Sequence, residues 1–169
     1  VYKRQIERWK EKTGKTMDSV SSIIEWGGGY GNMALLFSRM KTTPLTYAII
    51  DIPVFSALQW LYLSVTLGPD RVNLLTGPEN PIIKGKINII PLCLADNIKE
   101  SFDMFVSTWA LSESSGESQE YVTAKDFFGA KSLLLANQGS DRSFPFASSV
   151  ADSAAQKNAF SEEIDFLKG

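Results

Sequence analysis

The residues of this chain best suited to chemistry are a run of glycines with a carboxylate on either side. Glu25, Gly27, Gly29 and Gly31 follow the order E-x-G-x-G-x-G, and Gly28 makes four glycines in the five positions 27–31. Glycine is costly inside regular structure, so such a cluster marks a turn where the backbone must pass close to something else. It lies between an apolar, β-branched run ending at Trp26 and a helical pattern opening at Asn32, which makes it a strand-to-helix turn. The dinucleotide fingerprint G-x-G-x-x-G would put its third glycine where Asn32 stands. Glu25, two positions ahead of Gly27, would repel a pyrophosphate. A cationic nucleoside without phosphate suits the turn better. S-adenosylmethionine (SAM) has that chemistry: a sulfonium, an ammonium, a carboxylate and an adenosine.

Further polar residues fall where such a ligand would reach. Asp51 closes a second apolar run, "TYAIID", and Ile52 follows it. An acid roughly 20 residues beyond the glycines is placed to accept hydrogen bonds from ribose hydroxyls. It also suits the N-cap of a helix starting near Pro53. Ala95 and Asp96, in "LADN", follow a third apolar run; Asp96 could accept from an adenine amino group or serve as a turn residue. Thr108 and Trp109 end a fourth run, where backbone groups could meet the methionine part, although Trp109 also reads as core. The chain has no histidine, so a base must come from elsewhere. Glu113 and Asp141, each after a strand, are the candidates; a loop carboxylate and a partner of Arg142 are the plainer readings. Asn137, Gln138 and Trp109 are candidate acceptor contacts by position alone.

Alternating strands and helices must position these residues. Tyr2, Ile6 and Trp9 give a first helix ending at Gly14. Strands are expected over 20–26, 46–51, 86–92, about 102–107 and 131–137, with "RVNLL" as a short extra one. Helices are expected in "NMALLFSRM", in "PVFSALQWLYLSVTL" and in "ESQEYVTAKDFFG". The second of these carries Val54, Leu58, Leu61 and Val65 on one apolar face. "QGSDRSFPFASS" reads as a loop, and "DSAAQKNAFSEEIDFLK", capped by Asp152, as a last helix. The pattern predicts an α/β, Rossmann-like, doubly wound and mostly parallel sheet, with the ligand beyond the carboxyl ends of its strands.

Composition narrows the partners. The 169 residues fit one domain, 1–169, with 1–19 as a helical lead-in. A net charge of −2 offers no footprint for nucleic acid or an anionic membrane, so a small-molecule partner is expected. The single cysteine, Cys93, excludes an internal disulfide and suggests a reducing, cytoplasmic setting. Its apolar surroundings predict a buried structural thiol. No cluster of metal ligands is visible, so no metal is expected.

"IIEWGGGYGNMALLF", "TYAIIDIPVFSALQWLYLS", "FDMFVSTWALSESS" and "LLLANQGSD" together resemble the sugar O-methyltransferase family, which are class I SAM-dependent methyltransferases. The resemblance runs from Ser21 to Asp141 and is most distinctive in "DIPVFSALQWLYLS". It implies a seven-stranded fold, SAM as methyl donor, a sugar hydroxyl as acceptor, and cofactor roles for Glu25, Gly27, Gly29 and Asp51. Only five core strands are visible, so the family's C-terminal β-hairpin is expected to be missing and the chain to be part of a longer protein. Two rival readings remain: an NAD-dependent oxidoreductase on a similar sheet, and a non-catalytic module that keeps the fold.

Overall fold

A computed structural model of the chain describes residues 2–138 and 159–164, with side chains from Tyr2 to Ala136. Its centre is a sheet of seven strands: β1 (Ser22–Trp26), β2 (Thr46–Asp51), β3 (Val72–Leu74), β4 (Ile87–Pro91), β5 (Met104–Thr108), β6 (Leu133–Gln138) and β7 (Ala159–Ile164). They lie in the order β3-β4-β2-β1-β5-β6-β7, and all the neighbouring pairs are parallel. From β1 the chain first moves outward through β2, then crosses back to β5 on the other side. The order therefore reverses between β1 and β5, and their carboxyl ends open the crevice that the sequence predicts.

The apolar runs are continuous because both faces of the sheet are covered. Ile23, Tyr47, Ile49, Ile89 and Val106 join one core with Ile6, Trp9 and Phe37 of α1 (Tyr2–Thr13) and α2 (Asn32–Met40). Ile24, Ala48, Ile50, Ile90 and Phe105 face the other way, onto Phe102, Leu111, Val122 and Phe127. Each buried Ile or Phe contributes about 1.5–3 kcal/mol of transfer free energy, so two faces of such residues hold the sheet between helix layers.

Four expectations need correction. In α3 (Pro53–Leu67) the buried residues are Ser56, Gln59 and Leu63, while Val54, Leu61 and Val65 face outward. With no charged residue on the helix, nothing forces its apolar stripe inward. The turn of β1 instead draws Gln59 to the inside. Cys93 is exposed, because β4 stops at Pro91 and the apolar run bends into a 3₁₀ turn, Leu92–Asn97. The helix expected over "ESQEYVTAKDFFG" begins earlier, with Ser115 as N-cap of α5 (Gly116–Ala124), and breaks before Gly129. Asp126, Phe127 and Phe128 of the short α6 (Asp126–Gly129) have positive φ, a strained arrangement that buries both phenylalanines. The last helix is replaced over 159–164 by β7, parallel to β6. A four-residue helix α4 (Ala110–Glu113), absent from the sequence reading, follows β5 directly.

Candidate functional site

The site grows from the turn between β1 and α2. Gly27, Gly29 and Gly31 all have positive φ, which bends the chain back within a few residues. Gly27 N–H donates to the Ile50 carbonyl at 2.9 Å, tying the turn to β2. The glycines are bare mostly for the protein's own sake. A Cβ on Gly27 would lie 2.1 Å from the Ala110 Cβ, one on Gly28 2.5 Å from Ile49 Cγ2, and one on Gly31 2.8 Å from Leu63 Cδ1. Gly29 alone of the four looks into open space. Close packing of the turn on the sheet, α3 and α4 thus explains three glycines, and only Gly29 presents bare backbone to open space.

Asp51 ends β2 beside this turn. Its Oδ2 accepts from Gly29 N–H at 3.2 Å and from Gln59 Nε2 at 2.9 Å; its Oδ1 accepts from Ile52 N–H at 2.8 Å. A carboxylate has about four acceptor positions, and among the described residues the hydrogen bond to Oδ1 is that from Ile52 N–H. Burial pushes the Asp51 carboxyl up, opposed by the hydrogen bonds from Ile52, Gln59, Gly29 and the Gly28 backbone. Ile52 is exposed at the N-cap of α3, beside the carboxylate.

Glu25 sits beneath the turn rather than in the crevice. It is buried, and Tyr47 Oη donates to its Oε2 at 2.9 Å. A Cβ on Gly28 would lie 3.2 Å from that same oxygen. Burial pushes the carboxyl from 4.5 up to about 8, against the Tyr47 hydrogen bond, with the Asp51 charge adding to the rise. The proton is therefore favoured on Glu25 near neutral pH.

The opposite wall comes from β5. Thr108 is buried at its end, and Trp109 follows with φ 69° and ψ −40°. A bulky residue in that conformation costs of order 1–3 kcal/mol and persists only where its surroundings impose it. Trp109 N–H donates to the Ala136 carbonyl of β6 at 2.6 Å, and its ring lies 6.1 Å from that of Tyr2, which brings the start of α1 to the rim. Ser107 Oγ joins both walls: it donates to the Trp26 carbonyl at 3.1 Å and accepts from Leu111 N–H at 3.0 Å.

The other predicted residues lie farther out. Ala95 is buried in the 3₁₀ turn after β4. Asp96 is exposed there and already engaged: Tyr121 Oη donates to it at 3.0 Å, and Lys125 Nζ lies at 2.8 Å. These partners hold its carboxyl below the usual range. Glu113 is exposed at the end of α4, with its N–H donating to the Trp109 carbonyl at 3.0 Å, so it stands on the β5 side of the crevice. Asp141 and the side chains of Asn137 and Gln138 lie outside the described residues. Among the described residues no three His, Cys, Asp or Glu gather as a metal site. A separate cleft of about 210 Å³, between the 75–82 loop and residues 94–100, includes neither the glycine turn nor Asp51.

Gln59 is the residue that the sequence reading missed. It is fully buried on α3, and its Nε2 donates both to Asp51 Oδ2 and to the Gly29 carbonyl, each at 2.9 Å. One amide thus fixes the acid and the turn to each other. Its Oε1 is buried without a hydrogen-bond partner among the described residues. A glutamine in the stretch "DIPVFSALQW", two helical turns after the acid, was the available signal.

No family model matches the chain, and no curated relative matches it. Two solved structures are similar in fold. One is the mitomycin 7-O-methyltransferase MmcR, with TM-score 0.52 and 14% identity over 97% of this chain and 44% of that one. The other, from Galdieria sulphuraria, is described as a sarcosine dimethylglycine methyltransferase, with TM-score 0.50 and 17% identity over 72% of this chain and 41% of that one. The chain has the class I methyltransferase fold and spans less than half the length of either structure.

Proposed function

We propose that the chain binds SAM in the crevice between β1 and β5 and transfers its methyl group to a hydroxyl of a small molecule, a sugar. The observation that carries this reading is Asp51: a carboxylate at the end of β2, bonded to Gly29 of the glycine turn. That is the chemistry a ribose hydroxyl needs. The donor set fits this nucleoside better than a dinucleotide. The Gly29 N–H is already given to a carboxylate, the Gly31 N–H to the Gly28 carbonyl, and residues 25–32 contain no cation. The two solved structures similar in fold are both methyltransferases by name, which favours the same class of reaction.

SAM supplies an electrophilic methyl group when bound. The chain's own task is then to hold donor and acceptor in line, which can lower a barrier by roughly 7–11 kcal/mol. Gly29 gives the donor close approach to the backbone, Asp51 holds its ribose, and Thr108 with the constrained Trp109 backbone forms the facing wall. With Glu25 buried beneath the turn, Asp51 is the carboxylate that the turn presents. A sugar hydroxyl needs its proton removed as it attacks, a contribution of about 10²–10⁴-fold. Glu113, exposed on the β5 side, is the base assigned to that role among the described residues, and Asp141 is the alternative.

Calorimetric titration with SAM, S-adenosylhomocysteine and NAD tests the proposal. Binding of the first two with NAD silent is the expected result. NAD binding in preference, or silence from all three, would refute it.

A further inference from the structure

The outward face of α3 has no use in the site just described. Val54 is 69% exposed, Leu61 56% and Val65 77%, with Leu58 partly exposed between them. On a helix these four lie in one line, opposite the buried Ser56, Gln59 and Leu63. Their spacing, four then three then four, is the seam along which two helices pack side by side. The helix has no charged residue along its whole length, although it lies at the surface. A solvated helix ordinarily carries charges on its outer face.

We infer that this face is a two-fold interface between two copies of the chain, formed by antiparallel packing of α3 against α3. The order of residues selects that occupant. Read along the seam, Val54, Leu58, Leu61 and Val65 form a palindrome. A two-fold axis at its midpoint sets Val54 against the second copy's Val65, and Leu58 against its Leu61. Such self-complementarity is what an isologous interface requires. The absence of charge removes any like-charge repulsion between the copies. It also removes the Lys and Arg by which a helix lies on an anionic membrane. Phe55, 39% exposed, borders the seam on one side. The face offers on the order of 500 Å² per copy, as large as the biggest apolar patch of an ordinary monomer. A pair would bury about 1,000 Å², the lower bound of a specific interface. An interface at that bound belongs with weak, transient associations.

Sedimentation of the 169-residue chain from about 1 to about 200 µM tests this. A concentration-dependent monomer–dimer equilibrium is expected, abolished by Leu61→Glu with an unchanged melting temperature. Geometry is read by cross-linking in a Cys93→Ser background. Val54→Cys and Val65→Cys lie about 16 Å apart along the helix. A mixture of the two proteins is expected to form a disulfide dimer, and neither alone. A chain that stays monomeric throughout overturns the inference, including one that floats with phosphatidylcholine vesicles instead. So does a dimer indifferent to Leu61→Glu, or one in which Val54→Cys cross-links to itself. Should Leu61→Glu fail to fold, the cross-linking pattern alone decides.

Discussion

Asp51 and Asp103 are carboxylates at opposite rims of one sheet, and they are held in opposite ways. Asp103 stands just ahead of β5. Its Oδ2 accepts from Ser21 N–H at 2.9 Å, Ser21 Oγ at 2.6 Å and Ser22 N–H at 3.1 Å; its Oδ1 meets Lys131 Nζ at 2.7 Å. Burial raises its carboxyl, but Lys131 and Ser21 outweigh that and hold it well below the usual range. Asp51 accepts from Gly29, Gln59 and Ile52 but meets no cation among the described residues, and burial wins. The same contrast extends to their neighbours. The carboxyl rim holds a neutralised Glu25, a strained Trp109 and a half-satisfied Gln59; at the amino rim Asp103 joins β1, β5 and the start of β6 through satisfied bonds. The amino rim is built for stability. The carboxyl rim keeps unfilled acceptors, as a ligand site does; backbone strain does not separate the rims, since Asp126, Phe127 and Phe128, with positive φ, lead into β6 at the amino rim.

Four substitutions break or sharpen this contrast. The largest effect is expected from Glu25→Gln. The folded chain holds the Glu25 proton up to about pH 8, whereas an unfolded chain releases it near 4.5. Its contribution is complete below pH 4.5 and falls away as pH rises to about 8, by several kcal/mol. Gln keeps the bond from Tyr47 and removes the titration. Denaturation midpoints measured from pH 5 to 8 should fall for the wild type and stay level for the variant; parallel curves would mean that Glu25 is ionised throughout.

Asp51→Ala is expected next, with SAM affinity reduced about 100-fold, the loss of one or two charge-assisted bonds. Its melting temperature should change little, because relief of the buried charge is set against the donors of Gln59, Gly29 and Ile52 that lose their acceptor. Asp103→Ala should do the reverse. It loses about 2 kcal/mol, allowing for solvent around the exposed Lys131, or about 4–8 °C in melting temperature, and leaves SAM affinity within twofold. That loss is present above the ordinary aspartate range and fades as pH falls through the depressed value. The smallest effect is about tenfold weaker SAM binding in Gln59→Leu, read by titration; an unchanged affinity would show that the turn and Asp51 hold their places without the amide.

Much of the positioning scaffold was legible because it depends on local pattern. The runs that became β1, β2, β4, β5 and β6 announced themselves by apolar continuity, and the glycine turn by composition. Side-chain direction on α3 was not legible. Its stripe Val54-Leu58-Leu61-Val65 has the right period for a buried face, but periodicity states that a face exists and not which way it turns. The deciding contact, Gln59 on Asp51 and Gly29, is between residues far apart in sequence. Cys93 failed for a related reason: apolar neighbours suggested burial, but the run beyond Pro91 bends into a 3₁₀ turn that leaves the thiol exposed. The "SEEI" segment, acidic and helix-prone, pairs in β7 through long-range contacts that local propensity does not carry. At the site the acid and the turn were readable, whereas the burial of Glu25 and the engagement of Asp96 by Lys125 were not.

The most direct test of the account is a crystal of the chain soaked with S-adenosylhomocysteine. The account predicts its ribose within hydrogen-bond reach of Asp51 and its body against Gly29, between β1 and β5. Density at the amino rim near Asp103, or a ribose held by other residues with Asp51 still closed on Gln59 alone, would contradict it.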